Sequence, residues 1–307
     1  MRFISLPLIA LCAAFGGGGG AAAQTFVPAR SNIAAQTFVP ARSTIDLGVW
    51  HSNLSSDLPQ GEAITARGVW RLDGGHVLQA EALEERRFGS RGGVLGAAYT
   101  RVFSPDWYGT GTVALGHGGP NWATWRVDAQ ISRKWLAERQ LVTSAALYYA
   151  NYRDNGSNDF VKLDSVEVVS STPQAQVLRA HVSRTDRSDR GLRLSTAWYL
   201  PFPAVLEAGI TFNRSEPGNV YSHMPYVAAT YGREGEQYLS LRVASGTEAY
   251  QALALSQQLV DFRSDSVGLT WRRWLGPRWG FTAQGEAYRN SSYRRQTLGV
   301  GLFAQWP

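Results

Sequence analysis

The stretch TLGVGLFAQW at residues 297–306 alternates between two kinds of side chain along almost its whole length. Because successive side chains of a β-strand point to opposite faces, the stretch has two distinct faces. One face carries Leu298, Val300, Leu302, Ala304 and Trp306. The other carries Thr297, Gly299, Gly301 and Gln305, and only Phe303 departs from the pattern. An apolar face for lipid and a small or polar face for a wet lumen are typical of a transmembrane β-barrel.

The first residues have the features of an export signal. Arg2 supplies a positive charge, residues 3–15 form an apolar core, and residues 21–23 are alanines suited to cleavage, which predicts a signal peptide over 1–23. No later stretch approaches the roughly 18 continuous apolar residues that a spanning helix needs. The sole cysteine, Cys12, lies within this signal, so we expect no disulfide and no thiolate metal site in the mature protein.

A tandem duplication follows the predicted signal. AAQTFVPARSNI at 22–33 is repeated as AAQTFVPARSTI at 34–45. Two copies are too few for a solenoid, which needs at least three stacked units. We therefore predict a periplasmic tail over 24–44 and a barrel domain over 45–307, with a docking peptide as the alternative role of the tail.

Period-two alternation recurs from residue 45 onward in runs of ten to twelve residues separated by turn residues. We count sixteen such runs, within a range of 12 to 18, and predict an all-β, closed, antiparallel transmembrane barrel. An indole ring with one polar N–H prefers the headgroup layer of a membrane. The residues predicted for this aromatic girdle are Trp125, Trp135, Trp279 and Trp306. A soluble exported β-sandwich is the structural alternative, because its strands alternate as well.

The connections between these runs predict short periplasmic turns and longer extracellular loops in strict alternation. Residues 172–174 belong to the predicted periplasmic set, and residues 154–159 and 246–258 belong to the extracellular set. The last of these loops is unusually apolar. It contains Tyr250, Leu253 and Leu255, which we predict as a plug that folds into the lumen.

Four stretches in the last hundred residues carry a family resemblance. They are NRSEPGNVYSH at 213–223, YLSLRVASGTEAYQAL at 238–253, VDFRSDSVGLTWRRWLGPRWGF at 260–281 and EAYRNSSYRR at 286–295. Their spread of Gly, Pro, Tyr and Trp positions resembles the YaiO family of outer-membrane barrel proteins. The resemblance implies an integral outer-membrane barrel and, as in some relatives, an association with envelope and exopolysaccharide export machinery.

The sequence offers no compact catalytic motif. The five histidines are scattered singly, no pair has metal-ligand spacing, and no serine lies in a nucleophile setting. We therefore expect no catalytic residue, no metal and no cofactor. Export to the envelope also excludes nucleic acid as a partner.

The inward faces of the predicted strands are polar and charged. The predicted lumen-lining residues are Arg126, Asp128, Lys134, Arg179, Arg193, Glu207, Arg242, Arg272 and Glu286. With Arg67 and Arg71 added, bases outnumber acids on this face. Two interpretations remain open: a ladder of salt bridges that fills the barrel, or an electropositive channel that selects anions.

These features predict a non-catalytic protein integral to the bacterial outer membrane, for passage or docking of a surface or exported polysaccharide. A general diffusion porin or anion-preferring channel is the main alternative, and an enzyme acting on lipid at the lumen or rim is a third. The expected partners are outer-membrane lipid and lipopolysaccharide, the barrel assembly machinery through the C-terminal strand, and polysaccharide export components. The basic residues are nearly all arginine, and the arginine side chain suits contacts to lipopolysaccharide phosphates.

Overall fold

The computed structural model describes residues 42–119, 121–152, 160–172, 175–254 and 257–307. The predicted signal peptide and almost all of the predicted tail lie outside these residues. The strands are β1 (Ser43–Leu54), β2 (Gly61–Leu72), β3 (His76–Arg87), β4 (Ser90–Val102), β5 (Trp107–His117), β6 (Trp125–Trp135), β7 (Leu141–Tyr152), β8 (Phe160–Thr172), β9 (Ala175–Thr185), β10 (Arg187–Tyr199), β11 (Ala204–Glu216), β12 (Val220–Arg233), β13 (Gln237–Ala254), β14 (Gln257–Trp274), β15 (Trp279–Asn290) and β16 (Arg294–Trp306).

Fourteen of these strands form a closed antiparallel barrel, which confirms the predicted fold class. The barrel closes where β1 pairs with β16, with Leu47 opposite Leu302 and Val49 opposite Val300. Closure removes the sheet edges, so every strand backbone can be hydrogen-bonded inside a membrane. No helix long and apolar enough to cross a membrane occurs among the described residues.

The sequence predicts about sixteen barrel strands, but the barrel has fourteen. The other two described strands, β8 and β9, pair only with each other. β7 pairs directly with β10, so this hairpin is an insertion in the connection that leaves the extracellular end of β7. Two register shifts interrupt the β8–β9 pairing, and such irregularities break the strict alternation that a lipid-facing strand needs. Residues 172–174, predicted as a periplasmic turn, fall within this insertion, partly outside the described residues.

The outer wall of the barrel is apolar. The side chain of Leu298 is 72 % exposed, and Val300 and Leu302 beside it are exposed to a similar extent. Trp125, Trp135 and Trp279 are also exposed at the ends of their strands, and Trp306 is partly exposed. This surface suits contact with lipid, and the exposed tryptophans at strand ends suit the headgroup layer.

The connections do not follow the predicted strict alternation of short periplasmic turns and longer extracellular loops, because at the extracellular end only two residues join β3 to β4 and three join β11 to β12. At the end assigned to the periplasm, the connections span three to five residues, beginning with the single 3-10 turn Asp73–Gly75. At the other end β13 and β14 each extend over 18 residues. Most of residues 246–258, which the sequence predicts as a loop, therefore belong to these strands. The pairing runs from Gly246 opposite Ser264 to Ala254 opposite Gln257, and it satisfies backbone hydrogen bonds of both strands. We call the described part of this segment, residues 246–254 and 257–258, the mouth hairpin.

Candidate functional site

The interior of the barrel is lined by polar side chains that are packed closely enough to be buried. Arg126, Asp128, Arg193, Arg272 and Glu286 are buried there. Lys134, Glu207 and Arg242 are partly buried. Arg179 lies on β9, outside the barrel wall, and its side chain is outside the described residues.

One wall of the interior is built around Arg126. Its guanidinium donates two hydrogen bonds of 2.8 Å to the carboxylate of Asp128, two residues along β6. Arg193, on β10, approaches the same carboxylate at 3.8 Å. The Cζ atom of Arg126 also lies 4.1 Å from the ring centroid of Tyr148. One carboxylate therefore pairs with two arginines from different strands, and this group of three keeps a net charge of +1.

A chain of hydrogen bonds continues this wall toward the extracellular end. The hydroxyl of Tyr148 donates to Asn213 at 2.8 Å, and Asn213 donates to Ser215 at 2.9 Å. Ser215 donates to Asp189 at 2.5 Å, and Asp189 lies 3.9 Å from Arg187. Such a connected network satisfies groups that would be costly to bury alone.

The buried arginines are paired with carboxylates. Among the described residues, five arginines are buried, and each has a carboxylate within 4.0 Å. These arginines are Arg126, Arg187, Arg193, Arg272 and Arg295. Arg272 pairs with Asp46, and Arg295 donates to Glu286 at 2.8 Å.

The structure adds four acids to the predicted lumen-lining set: Asp46, Glu81, Asp189 and Glu248 are buried or nearly so. They reduce the excess of base expected from the sequence, although the structure also adds two buried arginines, Arg187 and Arg295, to this set. A signal for Asp189 exists in the sequence, because Arg187 and Asp189, like Arg126 and Asp128, are two residues apart and share one face of a strand. The arrangement favours the interpretation of a salt-bridge ladder.

The mouth hairpin lies across the extracellular end of the barrel. Ala249 and Tyr250 form a buried cluster with Ala123, Ala150 and Tyr152. Ala123 lies in the connection between β5 and β6, which is at least four strands from β13 and β14 in either direction around the barrel. The hairpin therefore reaches across the mouth to the opposite wall.

A second cluster holds the other side of the mouth hairpin. Leu253 is only 2 % exposed and packs with Phe88, Tyr288 and Tyr293. Phe88 belongs to the turn between β3 and β4, again at least four strands away around the barrel. The predicted plug residues Tyr250 and Leu253 thus lie within the mouth, whereas Leu255 is outside the described residues.

Polar contacts reinforce the mouth hairpin. Glu248 is fully buried and accepts hydrogen bonds from Ser264 and, at 3.2 Å, from the hydroxyl of Tyr288. The amide of Gln251 donates to the hydroxyl of Tyr293. Tyr250 donates to the backbone carbonyl of Pro217 at 2.6 Å. A buried carboxylate is costly unless it accepts hydrogen bonds, and here Ser264 and Tyr288 supply the donors.

At the periplasmic end, aromatic side chains of the wall itself turn inward. Phe303, the exception to the alternation of the last strand, is buried against Trp274, with ring centroids 5.0 Å apart. Tyr238 packs edge-on against Trp274 at 5.3 Å. Arg272 lies over the ring of Phe303 at 3.5 Å. This periplasmic cluster is formed entirely by side chains of β13, β14 and β16.

The histidines do not gather into a catalytic or metal site among the described residues. His51 contacts Asn53, His76 contacts Tyr99, and His223 contacts Thr247. His117 lies 3.2 Å from Glu84. These four lie toward the outer surface, and the side chain of His181 is outside the described residues. The described residues hold no group of three or more candidate metal ligands.

Comparison with known proteins supports the same architecture. The family model of the YaiO membrane beta barrel domain matches residues 42–163 and 179–251. No curated protein sequence matches the chain.

Solved structures of similar shape are outer-membrane barrels. The CymD monoaromatic hydrocarbon channel is 8 % identical, with 97 % of each chain covered and a TM-score of 0.56. An outer-membrane channel from Pseudomonas putida is 7 % identical, with 87 % of this chain and 96 % of that chain covered and a TM-score of 0.47. An anion-selective porin from Comamonas acidovorans is 9 % identical, with coverage of 86 % and 98 % and a TM-score of 0.43. Because the sequence identity to CymD is only 8 %, this similarity shows a common fold and nothing more.

Proposed function

The chain belongs to the YaiO family of membrane β-barrels, and we propose that this integral protein of the bacterial outer membrane is a non-catalytic docking point for a surface or exported polysaccharide. The observation that carries the proposal is the closed mouth. Tyr250 and Leu253 place the mouth hairpin across the lumen, where it packs against opposite walls. A polysaccharide would first meet the outer surface of this closed end.

Free diffusion of solutes requires a wide, water-filled lumen, unlike the closely packed interior of this barrel. The width of a barrel grows with its strand number, and wide aqueous channels are typical of barrels with sixteen or eighteen strands. Here the barrel has fourteen strands, and the five buried arginines among its described residues are ion-paired. These features support a resting state that does not conduct, and they count against a general diffusion porin or an anion-preferring channel.

The extracellular rim offers groups that suit an acidic polysaccharide. Arg91, Arg263 and Arg289 have side chains that are 70 % to 78 % exposed, and each also lies within 4.0 Å of a carboxylate, that of Glu84 or Asp265. The planar guanidinium binds a carboxylate or a phosphate through two parallel hydrogen bonds. The same arginines suit the phosphates of lipopolysaccharide, and the β1–β16 seam suits handling of the C-terminal strand by the barrel assembly machinery. The family resemblance supports polysaccharide export components as further partners.

An enzyme acting on lipid is a weaker alternative. The described histidines contact Asn53, Tyr99, Thr247 and Glu84. A hydrolase of this kind needs a nucleophile and a base within hydrogen-bond reach. Ser215 has a carboxylate partner in Asp189, but both are buried within a network that fixes the wall.

Conductance across a planar bilayer tests the closed mouth. We expect the purified protein to show no sustained open steps and the double variant Tyr250→Ala, Leu253→Ala to show brief open steps, because only the mouth is loosened while the ion-paired interior remains. The control is Leu241→Ala, Val243→Ala, which truncates two exposed residues of the same strand on the lipid side. A steadily conducting wild type would support the porin alternative, and a preference for anions would support an electropositive channel.

Binding to immobilised polysaccharide tests the docking role separately. We expect the reconstituted protein to bind alginate, an acidic polysaccharide, more strongly than neutral dextran. The variant Arg263→Gln should weaken binding to alginate because it removes an exposed cation at the rim. Equal binding to both polysaccharides, or none, would contradict a docking role based on charge.

A further inference from the structure

The outer wall carries a groove near its periplasmic end. The groove has a volume of about 700 Å³ and is formed by β5, β6, β7, β10 and β11. Its floor consists of small side chains, including Thr143, Ala145, Thr196 and Ala208. Elsewhere on the wall, large side chains such as Leu298 point outward, so the groove is a local depression in the lipid-facing surface.

Among the described residues that line the groove, only Arg133 is charged. The guanidinium Cζ of Arg133 lies 3.7 Å from the ring centroid of Trp135 and 5.2 Å from that of Trp107. The Nε atom of Arg133 is buried and has no hydrogen-bond partner among the described residues. A guanidinium in the headgroup layer lies within reach of lipid phosphates, to which it can donate charge-assisted hydrogen bonds.

The surroundings hold this arginine in a defined position. The indole N–H of Trp135 donates to Thr143 Oγ1 at 2.8 Å, which fixes one of the two rings beside the guanidinium. Arg133 lies opposite Trp107 in one pairing and opposite Thr143 in the other. The cation is therefore oriented by its neighbours while Nε lacks a hydrogen-bond acceptor.

The depth of the groove matches the periplasmic leaflet. Trp107 is the first residue of β5 and Trp135 is the last residue of β6, so both stand at the periplasmic headgroup level. From there the groove continues toward the middle of the wall along Ile131, Leu194 and Ile210. A cationic end at headgroup depth and an apolar path toward the midplane fit a molecule with an anionic head and a hydrocarbon chain.

We propose that this groove binds one phospholipid of the periplasmic leaflet. Its phosphate lies at Arg133, between Trp107 and Trp135. One acyl chain lies over Ala145 and Ala208. The site is on the outer surface and is independent of the state of the mouth.

Native mass spectrometry of the purified full chain tests this site. Detergent-solubilised protein is titrated with phosphatidylglycerol, with diacylglycerol, which lacks the phosphate, and with inorganic phosphate alone. We expect phosphatidylglycerol to bind with a stoichiometry of one and the other two probes to bind weakly. Arg133→Gln should weaken phosphatidylglycerol binding about tenfold, the effect of losing roughly one charge-assisted hydrogen bond.

Two further variants separate the head and chain contributions. Arg101→Gln removes another exposed arginine near the periplasmic end of the barrel and should leave binding unchanged. Ala208→Trp fills the groove and should reduce binding of the lipid. Folding of each variant is checked by heat-modifiable migration, and Thr196→Leu replaces Ala208→Trp if the latter does not fold.

Several outcomes would overturn the proposal. Equal binding of diacylglycerol and phosphatidylglycerol would remove the role of Arg133 as a phosphate ligand. Saturation by inorganic phosphate alone would indicate an anion site without a lipid. Dimers that disappear in Ala208→Trp would show that the groove is a contact between two copies of the chain.

Discussion

The two ends of the barrel are both narrowed by aromatic side chains, but they are built differently. At the extracellular end, the mouth hairpin crosses the lumen and packs against strands on the opposite side, through Tyr250 and Leu253. At the periplasmic end, Tyr238, Trp274 and Phe303 belong to neighbouring strands of the wall. One closure is an element laid across the opening, and the other is part of the wall.

This difference predicts that the mouth hairpin and the periplasmic cluster open with different ease. The mouth hairpin extends beyond the strands to which the rest of the barrel is bonded, so it can leave its contacts without unpairing the barrel. The periplasmic cluster can separate only if wall strands move. Local opening generally costs less free energy than global unfolding, and functional movements use the less stable elements. We therefore expect the mouth to open and the periplasmic cluster to stay intact.

The largest expected effect is that of Phe303→Ala. Removing a buried aromatic side chain from the wall should lower the free energy of unfolding by about 3–5 kcal/mol. Reversible denaturant unfolding in lipid vesicles measures this change. The matched control is Leu302→Ala, the adjacent lipid-facing residue, which should have a smaller effect because its side chain is exposed. Equal effects of both variants would show that the periplasmic cluster contributes little to the wall.

A smaller global effect is expected for Leu253→Ala. The substitution weakens docking of the mouth hairpin, and the loss cannot exceed the free energy that holds the hairpin in place. Hydrogen exchange should therefore accelerate in residues 246–254, while the free energy of unfolding of the barrel changes by less than about 1 kcal/mol. Val243→Ala, on the outer face of the same strand, serves as the control. Loss of barrel stability as large as that in Phe303→Ala would show that the hairpin is an integral part of the wall.

The smallest expected effect concerns Glu234, in the periplasmic turn between β12 and β13. Burial raises the pKa of this carboxyl group, and the positive charges of Arg42 and Arg272 oppose the shift only in part. The folded state therefore holds the proton more tightly than the unfolded chain does. The stability that this proton supplies is present at low pH and is lost as the pH rises through the raised pKa.

Glu234→Gln should accordingly stabilise the protein slightly at pH 7 and have almost no effect near pH 3, where both states carry a protonated carboxyl group. Urea unfolding of wild type and variant at both pH values measures the difference. Destabilisation at pH 7 would mean that attraction to Arg42 and Arg272 outweighs burial. It would also show that this turn contributes an ion pair to the periplasmic end.

Much of the wall could be predicted from the sequence, because the period-two pattern is a local property of each strand. The last strand shows this well, since the predicted lipid-facing residues Leu298 and Leu302 are exposed. Its one exception, Phe303, identifies an inward residue of the periplasmic cluster. Pairs such as Arg126 and Asp128 were also within reach of sequence analysis, because two residues of separation place them on one face.

The sequence by itself therefore determined the strand pattern, the lipid-facing wall and the polar interior of this protein. Only the tertiary structure decided which strands close the barrel, since β8 and β9 pair with each other while β7 pairs with β10. It also decided that Leu253 meets Phe88 across the mouth and that Asp46 pairs with Arg272. Alternation depends on immediate neighbours in the chain, whereas these contacts join distant segments that meet only when the cylinder closes.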